Sequence, residues 1–426
     1  MKVKFSYLSA FLGCGLLLAS CSDDKVAVSQ VSVDVVISNP LGNEIQVKDG
    51  TYTFSNVSTG EQKTIPYGAS LSRSISLAEV VDGLYNVSFE GVAKYTYLET
   101  ESNSEGNISE VTKSAEVKIQ GSQQNVEVKG GSTSLNLTVY VIRESNEDLV
   151  FYEIFPTGTL NPETNKQYNG DQYVIIHNNS SETVYADGLI FAESEFSTVL
   201  KNDYNPNIID EAFTAQVIAV IPGSGIDYPV LPGSDIVICD NAMNHKEANP
   251  VSCDLSNANF EWFTNSTSTS VVDADNPQVP NLEMWYNYTK TIWILNKQGN
   301  KAYVIARPPK GLTADEFLTN YTYTYHYTLV TGAQSKDIIG YKIPNEWVID
   351  AVTLSPKNKY VWNVTGNALD MGFTFVGENS TIAENVGKSV VRRVSYTTVD
   401  GRVVLQDTNN STVDFIPSSE ASLLNK

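Results

Sequence analysis

The sequence predicts an all-β chain built as two sandwiches in tandem, and three observations carry that expectation. Residues 149–194 hold three strand signals in quick succession. The segment 150–155 is apolar and β-branched, 172–178 carries Tyr173-Val174-Ile175-Ile176, and 183–192 mixes Val, Tyr, Leu, Ile and Phe. Turn formers separate them: Pro156, Gly158, Pro162, Gly170 and the run Asn178-Asn179-Ser180-Ser181. Upstream, residues 26–141 are dense in Val, Ser, Thr and Tyr and alternate in short runs between turns, the pattern of a second sandwich. A chain of 426 residues has room for two or three domains, and the charged stretch 143–148 marks the boundary.

The chain start reads as a targeting segment. Lys2 and Lys4 precede an apolar run over 8–19, and Leu18-Ala19-Ser20 stand before Cys21. Residues 1–20 are therefore expected to be a lipoprotein signal peptide, with Cys21 acylated; the other reading is an ordinary signal with a chance cysteine. The run is too short for a permanent spanning helix. Residues 21–30 form a tether, and its Ser22-Asp23-Asp24-Lys25 resembles the export tag of Bacteroidota outer-membrane lipoproteins. That resemblance implies an outer-membrane, lipid-anchored protein facing the cell exterior.

The first sandwich is expected over 31–145. Strand-like alternation recurs at 31–38, 50–58, 83–93, 115–120 and 135–142, between turns such as Asn39-Pro40, Asp49-Gly50, Thr59-Gly60 and Asp82-Gly83. The polar segment 99–106 reads as a loop tip. The pieces 49–65 and 80–91 resemble the carboxypeptidase-regulatory or prealbumin-like modules that serve as spacers in surface proteins.

The second sandwich is expected over 146–426, a length that implies insertions in its loops. The clearest is 241–288, which holds His245, Cys253, Trp262 and Trp285. A capping box, Thr313 to Glu316, followed by Phe317 and Leu318, predicts one short helix. After it, Tyr321, Tyr323, Tyr325 and Tyr327 alternate with Thr and His, which puts the four rings on one face of a strand. The tail 387–417 reads as two strands joined at Asp400-Gly401.

Several of these motifs resemble the lamin-tail domain, a small immunoglobulin-like sandwich. They are Glu153-Ile154, the strand and polar turn 173–184, Asp187-Gly188-Leu189, the Pro232-Gly233 turn into 235–238, the hairpin 295–308 and the Arg-bearing strand 387–393. The resemblance implies an immunoglobulin-like sandwich enlarged by loop insertions, and it brings no catalytic set. Taken whole, 149–417 resembles an uncharacterised Bacteroidota lipoprotein family known only as a domain of unknown function.

The formal charge of −21 repels nucleic acid and anionic membrane, so neither is an expected partner; the acidic excess also serves as a solubility device. Of four cysteines, Cys14 lies in the leader and Cys21 is the expected acylation site. Cys239 and Cys253 either close a disulfide, worth about 3 kcal/mol in the chain-entropy model, or are buried core thiols. His177, His245 and His326 show no zinc-ligand spacing, so no metal or other cofactor is expected. Asp273, Asp275 and Asn276 offer calcium-type oxygens but lack the rest of a calcium loop, which favours a solvated turn. No nucleophile elbow or zinc-protease signature occurs.

Aromatic side chains are the remaining signal. Trp262, Trp285, Tyr286 and Tyr288 are candidate binding residues, because flat rings with polar tips stack on sugars and anchor interfaces. They are also ordinary strand and core residues. The expectation is a surface lipoprotein acting as a non-catalytic binding or accessory module, one that hands ligands to a TonB-dependent-type outer-membrane transporter or meets a surface ligand. The alternatives are a structural or adhesive surface subunit and a surface hydrolase.

Overall fold

The computed structural model describes residues 27–38, 45–67, 74–102, 108–142, 149–329, 332–380, 382–399 and 401–424. The leader, Cys21 with the residues just after it, and the charged boundary 143–148 lie outside the described residues.

The amino-terminal part is one seven-stranded sheet. Its order is Gln62–Pro66, Ile45–Asn56, Gly83–Ser102, Ile108–Val128, Ser132–Ile142, Val28–Ser38 and Ser74–Val81. Neighbours are antiparallel except Val28–Ser38 and Ser132–Ile142, which run parallel. Alternation decides what is buried. Val31, Val33 and Val35 point into one core with Tyr52 and Phe54, Val87 and Phe89, and Leu135, Leu137 and Val139. Residues so far apart in strand order share that core because the sheet curls over itself. Gly121 permits the fold: a Cβ there would stand 2.1 Å from the Thr138 carbonyl oxygen. Residues 99–102, expected in a loop tip, instead continue the strand Gly83–Ser102, paired up to Ser102↔Ile108; residues 103–107 lie outside the described residues. Backbone pairing with a partner strand that includes Ile108 and Val111 outweighs the turn-like composition there.

The rest of the chain is a sandwich of two sheets. The six-stranded sheet runs Phe260–Glu261, Asp235–Cys239, Tyr173–Asn178, Leu149–Phe155, Lys388–Arg392, Phe415–Glu420. The eight-stranded sheet runs Asp203–Asn205, Thr322–Thr328, Ile338–Pro344, Ala212–Val220, Ile190–Ser194, Ala302–Ala306, Val348–Thr353, with Glu283–Asn287 also paired to Ala212–Val220. Between them lies a core that takes Phe151, Ile154, Val174, Ile176 and Val390 from one sheet and Phe191, Val217, Tyr303, Ile305 and Val352 from the other. Strand runs such as Tyr173–Asn178 and Ile190–Ser194 are buried on both faces, which is why they read as continuous apolar stretches.

Both outer faces are covered as well. Phe155, Tyr173, Ile175 and Cys239 meet Ala242, Cys253, Leu255 and Val279. On the eight-stranded sheet, Phe213, Ile218, Val304 and Ile343 meet Trp285, Phe317, Trp347 and Trp362. Phe317 comes from the expected helix, Ala314–Asn320, whose capping box forms: Thr313 accepts from the Glu316 N–H, and Glu316 accepts from the Thr313 N–H. The tail hairpin also forms, with Val394–Thr397 paired to Val403–Leu405.

The segment 241–288 corrects an expectation. It is not a free-standing insertion. Phe260–Glu261 adds a parallel strand to the six-stranded sheet, Glu283–Asn287 adds an antiparallel one to the other, and Ala242, Cys253, Leu255 and Val279 pack on the first sheet's outer face while Trp262 and Leu282 enter the inter-sheet core.

Candidate functional site

The strand Ile190–Ser194 reads Ile-Phe-Ala-Glu-Ser and is wholly buried, yet it carries a carboxylate. Its pairing with Ala212–Val220 shifts register between Glu193 and Ser194, a bulge that re-aims the side chains around it. Glu193 is 2% exposed. Its Oε1 accepts from Gln216 Nε2 at 2.6 Å and Trp293 Nε1 at 3.4 Å, and its Oε2 from the Tyr303 hydroxyl at 2.8 Å and the Asn296 N–H at 3.3 Å. Two residues on, Glu195 is half-buried. Lys301 serves both. Its Nζ donates to the Glu195 carbonyl at 2.7 Å and to Gln216 Oε1 at 3.1 Å, and its charge offsets the two carboxylates. Burial pushes both glutamates above their ordinary range and pushes the lysine below its own, while Lys301 pulls the glutamates back.

Tyrosines surround Glu195. The Tyr325 hydroxyl lies 3.5 Å from Glu195 Oε1. Tyr323 stacks on Tyr325 with centroids 5.4 Å apart, and its hydroxyl bonds Thr214 Oγ1 at 2.7 Å. The Tyr323 ring lies across Gly340, where a Cβ would come within 2.6 Å of a ring carbon. Burial pushes the Tyr286 and Tyr288 hydroxyls up, and the charge of Glu195 adds to it in both. Tyr286 packs on Tyr341 at 4.0 Å, and Tyr288 is 57% exposed. The rings continue away from the carboxylate. Tyr204 lies 6.1 Å from Tyr325 and 5.7 Å from Tyr327, and stacks on Trp362 at 5.8 Å.

Of the residues singled out in sequence, Tyr286, Tyr288 and the Tyr323–Tyr325–Tyr327 set come together here. Tyr321 does not; it caps the helix and packs on Phe317 and Trp347. Trp262 is corrected outright. It is fully buried in the inter-sheet core, 5.3 Å from Trp293 and 6.2 Å from Phe191, and offers no face to a ligand. Trp285 packs on Phe317 at 5.7 Å and lines a separate groove of 440 Å³ with Pro222, Arg307, Pro308 and Lys310.

Of the two readings of the cysteine pair, the structure has the buried core thiols. Cys239 and Cys253 are both free thiols, buried in one apolar cluster. The Cys239 Sγ donates to the Phe260 carbonyl at 3.7 Å, and burial pushes the Cys253 thiol up to about 12. His245 uses both ring nitrogens, with the Tyr168 hydroxyl and the Asn241 carbonyl each 2.8 Å away, so it does not join these thiols as a ligand. Asp273 accepts from the Thr264 N–H, Asp275 from Asn281 Nδ2, and Asn276 donates to the Ala242 carbonyl: three loop staples that do not converge. Among the described residues, no group of three or more His, Cys, Asp or Glu is placed to hold a metal ion, and no helix is long and apolar enough to cross a membrane.

Glu193, Glu195, Lys301, Tyr204 and Trp362 were not singled out in sequence. The one visible signal was a pair of glutamates, Glu193 within the strand Ile190–Ser194 and Glu195 just past its end; nothing local marks Lys301 as their partner.

Comparison with known proteins bears on the fold. Residues 231–422 match the family described as "Protein of unknown function (DUF4876)". The chain is similar to a solved DUF4876 family protein from Bacteroides thetaiotaomicron VPI-5482, with 24% identity, a TM-score of 0.54, and coverage of 92% of this chain and 96% of that one. A DUF3823 family protein from Bacteroides uniformis ATCC 8492 has 11% identity and a TM-score of 0.15 over 39% of this chain and 67% of its own, too slight a likeness to bear on the fold. No curated protein matches.

Proposed function

We propose that this protein is a non-catalytic binding or accessory module, held at the cell surface through a lipid on Cys21, that takes its ligand on the tyrosine face around Glu195. The lipobox-like Leu18-Ala19-Ser20-Cys21 and the acidic residues after it support the anchor. In that placement the amino-terminal sheet lies nearest the membrane and the sandwich carries the ligand outward, to a TonB-dependent-type transporter or another surface partner. The positions of Glu153-Ile154, the Pro232-Gly233 turn and the Arg392 strand support reading the second unit as lamin-tail-like.

One observation carries the binding reading. Glu195 sits half-buried beside the buried Tyr325 and near the more exposed Tyr286, Tyr288 and Tyr323, while its would-be catalytic partner, Glu193, is buried behind it with four donors on its two oxygens. A carboxylate so consumed cannot reach a substrate. Glu195 keeps an aromatic floor and a polar rim, the composition of a recognition site.

The test has two parts. Protease shaving of intact cells should remove the protein, and Cys21→Ala should release it from the membrane fraction; full protection of the wild type would end the surface placement. A panel of oligosaccharides, peptides and esters should then be bound without chemical change, and Tyr288→Ala with Tyr323→Ala should weaken that binding. Turnover abolished by Glu195→Gln would make the protein a hydrolase instead.

A further inference from the structure

We infer that the 350 Å³ pocket beside Trp362 is a binding site for a neutral polyhydroxylated ligand, a glycan residue. It uses different residues from the tyrosine face, so either can fail without the other.

The pocket forms where the strand Ile108–Val128 of the amino-terminal sheet meets the sandwich. Ser122 Oγ donates to the Met371 carbonyl at 3.2 Å, and Gln123 and Gln124 close one side. The opposite side comes from 201–210 and 360–371. Its lining departs from the rest of the chain. A protein with 49 carboxylate side chains places a single one here, Asp210, against a single ammonium, Lys201. Carboxamides dominate instead: Gln123, Gln124, Asn207 and Asn367, with Asn363 held at both ends of its amide by the Tyr360 hydroxyl and the Asp370 carbonyl. An amide offers donors and an acceptor side by side, which matches the neighbouring hydroxyls of a sugar ring. One charge of each sign leaves the pocket without preference for an ionic ligand.

The aromatic wall is fixed before any ligand arrives. Trp362 Nε1 donates to the Ser197 and Leu200 carbonyls at 2.9 and 3.0 Å, Tyr204 stacks on the ring, and Lys201 Nζ lies 5.4 Å from its centroid. Tyr360 stacks on Phe373 at 4.1 Å, and its hydroxyl donates to Asn363 Oδ1 at 2.8 Å. Walls set in advance reduce the ordering cost of binding. A volume of 350 Å³ falls within the range of small-ligand sites. A peptide also pairs with amides, but it needs an apolar recess for an anchoring side chain. Here the aliphatic contributions are confined to Ile209, Val361 and Met371 at the margins of a polar lining.

The experiment uses the full mature chain on an immobilised panel of neutral, sialylated and sulfated oligosaccharides, with unmodified peptides beside them. Neutral oligosaccharides should bind. The double variant Asn207→Ala/Asp210→Ala, both exposed positions, should lose that binding by at least about tenfold while its circular-dichroism melt is unchanged. Tyr288→Ala should leave it intact. Binding confined to anionic glycans or to peptides, no glycan bound at all, or neutral binding that survives the double variant would each overturn the inference. Loss in Tyr288→Ala with survival in the double variant would move the ligand to the tyrosine face.

Discussion

Arg392 and Asp350 join the two sheets of the sandwich through its interior. Arg392 ends a strand of the six-stranded sheet and Asp350 lies in the last strand of the other; Nη2 donates to Oδ2 at 2.5 Å, and both side chains are buried. The same Asp350 oxygen accepts from the Phe151 N–H at 2.7 Å, and Arg392 Nε donates to the Phe151 carbonyl at 2.7 Å. Nη1 reaches the Gln406 carbonyl and Asp407, and the guanidinium lies 4.6 Å from the Phe415 ring. Each nitrogen of the fork thus has a partner, which is what makes burial of this charge tolerable.

Removing one partner leaves the others stranded. Arg392→Met should cost about 3–5 kcal/mol in urea unfolding, because it strands a buried carboxylate. Adding Asp350→Leu should recover part of that loss. A single variant within about 1 kcal/mol of wild type would show that the cluster contributes little to stability.

The pH dependence should run against the usual direction. Burial, with the charges of Asp273, Asp171 and Glu261, holds the Asp240 carboxyl well above its ordinary range, and burial pushes Asp350 up to about 7 despite Arg392. A carboxyl raised in the folded state favours folding while protonated. That contribution is full below the unfolded value of 3.8 and is lost as pH rises through the folded one. The melting midpoint should therefore fall between about pH 5 and pH 8, and Asp240→Asn should stabilise the fold at the upper end by about 1 kcal/mol or more while changing little at the lower. A midpoint that climbs over this range, unaffected by the variant, would contradict the assignment.

How much of this was legible follows from how local each signal is. The strands Leu149–Phe155 and Tyr173–Asn178, the capping box at Thr313 and the turn before Gly401 depend on neighbours in sequence, and all appear in the fold. Burial of Trp262 depends on Phe191 and Trp293, which no spacing connects to it. An aromatic residue in a long, irregular segment reads the same whether its ring faces water or a second sheet. The Glu193–Lys301 association likewise joins a strand residue to one just ahead of a different strand, and a lysine after a glycine turn gives no hint of a buried partner. Tyr286 and Tyr288 were found because a ring with a polar tip favours the boundary between core and water, a property each residue carries by itself.

The two thiols should be inert in the native protein. Cys239 and Cys253 are each fully buried, and burial raises both above the ordinary thiol range. In the mature chain, a thiol-reactive dye should label neither before denaturation and both afterwards. Labelling of neither after denaturation without reductant would mean that they had bonded in the oxidising compartment.

Trp262 and Tyr288 should separate cleanly. Trp262→Ala opens a large hole in the inter-sheet core and should destabilise by about 3–5 kcal/mol. Tyr288→Ala removes an exposed ring and should leave the melt within about 0.5 kcal/mol of wild type. If Trp262→Ala melts normally, the ring is not the core element described above.

Lys301→Met tests whether the charge balance at the tyrosine face is structural. The lysine holds the Glu195 carbonyl and Gln216 and faces both Glu193 and Glu195. Methionine keeps most of the stem but withdraws the cation whose charge opposes burial at both glutamates. Both carboxyls should then titrate higher than they do now, since their hydrogen bonds would be left to oppose burial without it. The variant should lose about 3 kcal/mol at about pH 8, where both glutamates are ionised, and regain most of it near pH 5, where protonation replaces the lost charge. Glu195→Gln in the same background should relieve the defect at the higher pH, leaving Glu193 with its four donors as the single remaining charge. A loss that is equal at both pH values would mean that Lys301 contributes through packing of its stem, and the electrostatic account of this face would have to be abandoned.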